Sequence, residues 1–135
     1  MKKFAAFLLE YGSQIDIEGS SLLPANLADP TIKNVAEYIA LHYSDSFTSS
    51  DLASLCHLSE SQLRRRFVAA YGNSPMAYRN SLRCRIAAEL ISRTELSIFE
   101  ISSRVGYATT SDFFRAFVKY KGFSPSEYRR RKRAD

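Results

Sequence analysis

Tryptophan is absent from this chain, and in 135 residues cysteine occurs twice, proline four times and glycine five times. Each scarcity closes off a class of protein. Cys56 and Cys84 are too few and too far apart for a disulfide framework or for the paired ligand spacing of a zinc site. Both fall inside helical patterns and are expected as small core hydrophobes in a reducing compartment. The rarity of glycine and proline, with no sustained alternation of β-branched residues, argues for an all-α chain. The longest apolar run, Phe4 to Leu9, is far short of the ~20 residues that a membrane span requires, and no small-residue cleavage site follows it. A soluble, cytoplasmic protein with no membrane partner is the expectation. Apolar and aromatic side chains, by contrast, are plentiful at 45% and 13% of residues. That suffices for one domain, or two very small ones, to bury roughly two-thirds of the unfolded surface with no metal or other cofactor, and it excludes disorder for the bulk of the chain.

Charge is divided unevenly. Residues 1–58 hold three lysines against seven acids, whereas residues 59–135 hold sixteen lysines and arginines against seven acids. The basic character of a chain with net charge +5 therefore sits in its C-terminal part and points to a polyanion as partner. No nucleophile, base and orienting group come together, and no carboxylate pair has the context that catalysis needs, so an enzyme is not expected. His42 and His57 read as a surface residue and a turn residue.

The punctuation divides the chain into helices. Phe4 to about Tyr11 reads as a short apolar helix with Phe4, Phe7, Leu8 and Tyr11 on one stripe, followed by a polar linker over residues 13–28; together they make an N-terminal arm over 1–29. Asp29 as N-cap and Pro30 at the first helical position open a helix with Ile32, Val35, Ile39 and Tyr43 on its apolar side. Thr48 with Asp51, and Ser59 with Gln62, have capping-box spacing. The first starts a short helix carrying Leu52, Leu55 and Cys56, the second a helix burying Leu63, Phe67 and Tyr71 and stopping at Gly72. One uninterrupted helix spans Pro75 to about Arg93, with Leu82, Ile86, Leu90 and Ile91 inward. Ser97 with Glu100, and Thr109 with Asp112, then cap two further helices, the latter ending at Gly122, and Ser124 with Pro125 begins a last, basic one.

The second half repeats the first. At an offset of 50, ten of 23 positions from Ser61 to Arg83 carry the same residue as those from Ser111 to Arg133, including Arg65 and Arg115, Gly72 and Gly122, and Pro75 and Pro125. Upstream the better offset is 49, which requires one extra residue in the second turn. Each copy is a short capped helix, a tight turn and a second capped helix, the helix-turn-helix arrangement, over about 48–72 and about 97–122. On a helical wheel Ser61, Arg65 and Val68 point outward, flanked by Gln62 and Arg64; Ser111, Arg115 and Val118 do so in the second copy, flanked by Thr110 and Phe114. An arginine fork matches the two acceptors of guanine in the major groove. Tyr78, Tyr107 and Tyr128 read as core residues at helix junctions rather than base-stacking platforms. The tail Arg129 to Arg133 reads either as a phosphate contact or as a disordered basic segment.

These residues carry a resemblance. Leu52-Ala53, Leu58-Ser59, the run Leu63 to Phe67 and the stretch Ile98 to Tyr128, with Val105-Gly106-Tyr107 and Gly122-Phe123-Ser124-Pro125, resemble the DNA-binding domain of the AraC/XylS transcription regulators over residues 31–131. The resemblance implies a seven-helix domain over 30–135, two helix-turn-helix units joined by the long central helix at about 75–93, with recognition helices entering adjacent major grooves. It implies base contacts from Ser61, Gln62, Arg64 and Arg65 in the first unit and Thr110, Ser111, Phe114 and Arg115 in the second. Phosphate contacts are expected from Ser59, Arg66, Arg83, Thr109, Lys119 and Arg129. Phe114 and Val118 depart from the small polar residue and lysine common in the family, which points to reading of a thymine methyl or to weaker phosphate contact. Further implied are promoter DNA in the bacterial nucleoid, activation through RNA polymerase and a possible homodimer through the arm. The chain reads either as a fragment of a longer regulator or as a short stand-alone activator. The competing classes are a helix-turn-helix protein-interaction module and the DNA-binding part of a recombinase.

Overall fold

Prolines open three of the helices, because a residue without an N–H and with its φ already fixed is best placed in a first helical turn. The computed structural model describes residues 29–134, and the apolar stripe and linker expected before Asp29 lie outside them. The described residues form seven helices and no strand: α1 (Pro30–His42), α2 (Ser49–Leu55), α3 (Glu60–Tyr71), α4 (Pro75–Arg93), α5 (Ile98–Arg104), α6 (Thr110–Lys121) and α7 (Pro125–Ala134). None is long and apolar enough to cross a membrane. Two compact units result, one from residues 29–42 and 47–79, the other from residues 43–46 and 80–134, so that α4 gives its first turn to one and the rest to the other.

The expected caps form. Thr48 Oγ1 accepts from Asp51 N at 3.1 Å while Asp51 Oδ2 accepts from Thr48 N at 2.9 Å. Ser59 and Gln62 exchange the same pair of bonds at 3.1 and 3.0 Å. In the repeat, Ser97 Oγ accepts from Glu100 N and Thr109 Oγ1 from Asp112 N. Each such cap satisfies an amide that the helix cannot, an effect of about 1 kcal/mol. The turns differ as the offsets require: residues 56–59 join α2 to α3, and residues 105–109 join α5 to α6. Both pass through positive φ, at His57 (56°) and Gly106 (107°).

In the first unit α1 and α2 both pack on α3. Ile32, Val35, Ala36 and Ile39 of α1 close on Leu52, Ala53, Leu63, Phe67 and Ala70, with Phe47 beside them. Leu55 and Leu41 face outward instead. In the second unit α6 packs on α5 and α7, and Ile86, Ile91, Ile101, Val105, Phe113 and Phe117 are buried. The repeat extends to the aromatic joints: Tyr78 meets Phe67 edge-on at 5.3 Å, and Tyr128 meets Phe117 edge-on at 5.4 Å. Such joints hold each following helix to its recognition helix.

Of the two thiols, Cys84 is fully buried and Cys56 half-buried, its Sγ donating to Leu52 O at 3.3 Å. Burial pushes the Cys84 thiol up to about 11, more than the hydrogen bond with Tyr107 and the charges of Lys121 and Arg83 lower it. Thiolates rather than thiols react. Maleimide labelling of the native protein at pH 8 is therefore expected to modify Cys56 alone within minutes and Cys84 only after denaturation. Two equally fast thiols in the native state would contradict this.

Candidate nucleic-acid interface

A helix that reads a polyanion must keep its inner face for the core and leave unpaired cations on the other. On α3 the inner face is Leu63, Phe67 and Ala70, and Ser61, Gln62, Arg64, Arg65 and Val68 are exposed. Arg64 and Arg65 form no ion pair or hydrogen bond among the described residues, so their guanidinium groups are available to a ligand. Gln62 spends its side-chain oxygen on the Ser59 amide, which leaves its NH2 as the outward group. Ser59 is exposed, with its hydroxyl engaged in the cap. Arg66 is held differently: Nε and Nη2 make a two-pronged contact with Asp29 at 2.9 and 2.8 Å. Asp29 also accepts from Ile32 N at 3.4 Å, so the residue expected to cap α1 ties it to α3 as well.

On α6 Phe113 and Phe117 are buried, while Ser111, Asp112, Phe114, Arg115, Val118 and Lys119 are exposed and Thr110 is half-buried. Thr109 is the exposed N-cap. Arg115 pairs with Asp112 one turn earlier, a contact the sequence reading missed although the i, i+3 spacing carries it. Lys119 Nζ lies 5.5 Å from the Tyr120 ring centroid. Toward the end of this helix Lys121 is half-buried, and its ammonium is held below the ordinary lysine range first by burial and then by Arg85.

Two expected phosphate contacts are used for something else. Arg83 is 3% exposed; its Nε donates to Tyr43 O at 2.6 Å and Nη2 to Asp45 O at 3.0 Å, and its guanidinium lies 5.1 Å from the Tyr107 ring centroid. It latches residues 43–46 into the second unit, and the reading of Arg83 as a phosphate contact is corrected accordingly. Arg129 is half-buried and donates to Ile91 O and Thr94 O at 3.2 and 3.3 Å, satisfying carbonyls at the end of α4 that have no intrahelical partner. Its counterpart Arg79 in the first unit donates to Phe47 O, a carbonyl of the segment that precedes α2, at 3.1 Å. The remaining tail is helical rather than disordered. Arg131 stacks 4.2 Å from the Phe123 ring centroid, Arg133 pairs with Glu95 at 2.7 Å, and Arg130 is exposed.

Two capped helix-turn-helix units with cationic outer faces define a nucleic-acid-binding regulator domain. A family model described as a helix-turn-helix domain matches residues 52–131. The chain is 33% identical over 130 residues to the RCS-specific HTH-type transcriptional activator RclR of Escherichia coli K12, covering 96% of this chain and 45% of that protein. Among solved structures, the C-terminal domain of AraT, a response regulator from Geobacillus stearothermophilus, matches with a TM-score of 0.72 at 37% identity, over 76% of this chain and 85% of that one. The DNA-binding domain of AdpA, a global transcriptional factor solved in complex with a target DNA, matches with a TM-score of 0.72 at 25% identity, over 76% and 93%. The chain belongs to the AraC-type family of helix-turn-helix transcription regulators, and its relatives are regulators rather than enzymes. It spans less than half the length of the curated relative RclR.

Proposed function

We propose that this chain is the sequence-specific DNA-binding part of a transcription activator, reading two stretches of major groove with α3 and α6. The observation that carries the reading is the pair of outward serine and arginine sets, Ser61 with Arg65 and Ser111 with Arg115, on helices with matching caps. RclR is described as an activator and AdpA was solved on target DNA, which supports both halves of the reading. Base contacts fall to Ser61, Gln62, Arg64, Arg65, Thr110, Ser111, Phe114 and Arg115. Phosphate contacts fall to the exposed Ser59, Thr109 and Lys119, with Arg66 available only if Asp29 releases it. Activation through RNA polymerase, action in the bacterial nucleoid and dimerisation through the N-terminal arm, residues 1–29, belong to the same proposal, and the last is read directly by concentration-dependent sedimentation.

Arg65→Ala and Arg115→Ala are each expected to lose ~1–3 kcal/mol of binding to the specific site and to relax base preference at different positions of it. Random duplex DNA, which tests only sequence-independent attraction, should bind both variants nearly as well as the parent. Equal losses on specific and random duplexes, measured by titration at fixed salt, would overturn direct readout by these arginines.

A further inference from the structure

The two recognition helices differ most where their chemistry would matter. At an offset of 50 the outward Ser61 and Ser111, Arg65 and Arg115, and Val68 and Val118 are the same residue, but Arg64 is replaced by Phe114. Phe113 and Phe117 already fill the inner face of α6, so a third ring on the outer flank serves no core. Phe114 is 37% exposed, and Val118, one turn further on the same flank, is 46% exposed. The ring is anchored, standing edge-on to the buried Phe113 with centroids 6.2 Å apart. Beside this apolar strip stand Arg115, held by Asp112, and Lys119.

We infer that Phe114 and Val118 read thymine methyl groups, so that the second unit selects thymine at the place where Arg64 gives the first a preference for guanine. The inference rests on the DNA-binding reading above. Thymine alone among the four DNA bases presents a methyl group in the major groove, and apolar side chains are its matching contact. The neighbouring Lys119 complements phosphate and brings the strip to a duplex. RNA does not fit, since its major groove is too narrow for side chains to read. Replacement of arginine by phenylalanine changes the kind of base selected rather than merely weakening the hold.

The test begins with selection of a binding site from random duplexes by the intact chain. Thymines of that site are then replaced singly by deoxyuridine, which keeps every hydrogen-bonding group and removes only the methyl. Each contacted methyl is expected to contribute about fourfold in affinity, the equivalent of burying one methylene-sized group. The strongest sensitivity should lie in one half of the site, because the first unit has Val68 opposite Val118 but Arg64 in place of Phe114. Phe114→Ala should lose the discrimination at the position its ring contacts while keeping any that Val118 supplies, whereas Phe114→Leu should keep both. A selective parent protein indifferent to uridine at every position overturns the inference, and that arm needs no variant to fold. Uridine sensitivity that survives intact in both Phe114→Ala and Val118→Ala also overturns it. A selection that enriches no sequence sinks the DNA-reading function itself and the inference with it.

Discussion

Gly106→Ala is expected to lower the stability of the second unit by about 3 kcal/mol or more, and the melting temperature by over 10 °C. Two independent costs combine. At φ 107° an L side chain is strained, by roughly 1–2 kcal/mol. The added Cβ would also stand 2.6 Å from Ser44 O, 2.8 Å from Ser44 Cα and 2.8 Å from the Arg83 guanidinium, an overlap with backbone that adds about 1–3 kcal/mol. Gly72 and Gly122 supply the control. Their φ values are 80° and 82°, and a Cβ at either meets nothing within 4 Å. Alanine there pays only the conformational term, about 1 kcal/mol. Thermal melts of the three variants should therefore separate Gly106 from the other two; equal losses would mean that the close approach to Ser44 costs nothing.

Arg83→Met is expected to cost ~3–6 kcal/mol, because it removes a charged donor from two carbonyls at once, each such bond contributing ~1.5–3 kcal/mol. Lysine should not rescue it, since a single ammonium cannot span Tyr43 O and Asp45 O or lie flat on Tyr107. The same variant distinguishes the buried role from the one the sequence suggested. At a temperature where Arg83→Met is folded, its DNA affinity should fall with salt as steeply as the parent's. Lys119→Ala, by contrast, should reduce that slope by about one unit. A shallower slope for Arg83→Met would return this arginine to the phosphate backbone.

The misplacement of Arg83 shows where sequence reasoning stops. Local signals were legible: the hydroxyls of Thr48, Ser59, Ser97 and Thr109 cap the helices that their spacing predicted, and Gly72 and Gly122 end α3 and α6 in the left-handed conformation. Even the extra residue of the second turn followed from the change of offset. These features depend on neighbours within four or five positions. The partners of Arg83, Arg129 and Arg66 lie 35 or more residues away in sequence, and an arginine satisfied by distant carbonyls looks, in a sequence, like one bound for phosphate. Asp29 gave only its capping role, because nothing in its surroundings announced Arg66. The outward placement of Arg65 and Phe114 was legible for the opposite reason: exposure on a capped amphipathic helix follows from period alone.

The two left-handed glycine stops have a bearing on how such a chain can evolve. Each recognition helix is a twelve-residue segment whose beginning is fixed by a hydroxyl and whose end is fixed by a glycine, while its core side is fixed by two or three apolar residues. Nothing in that arrangement consults the solvent side, where Arg64 and Phe114 occupy the same place in helices of equal length, each opened by a hydroxyl cap and closed by a left-handed glycine. Mutations there are close to neutral for folding, so new target preferences can be tried one exchange at a time without passing through an unstable ancestor.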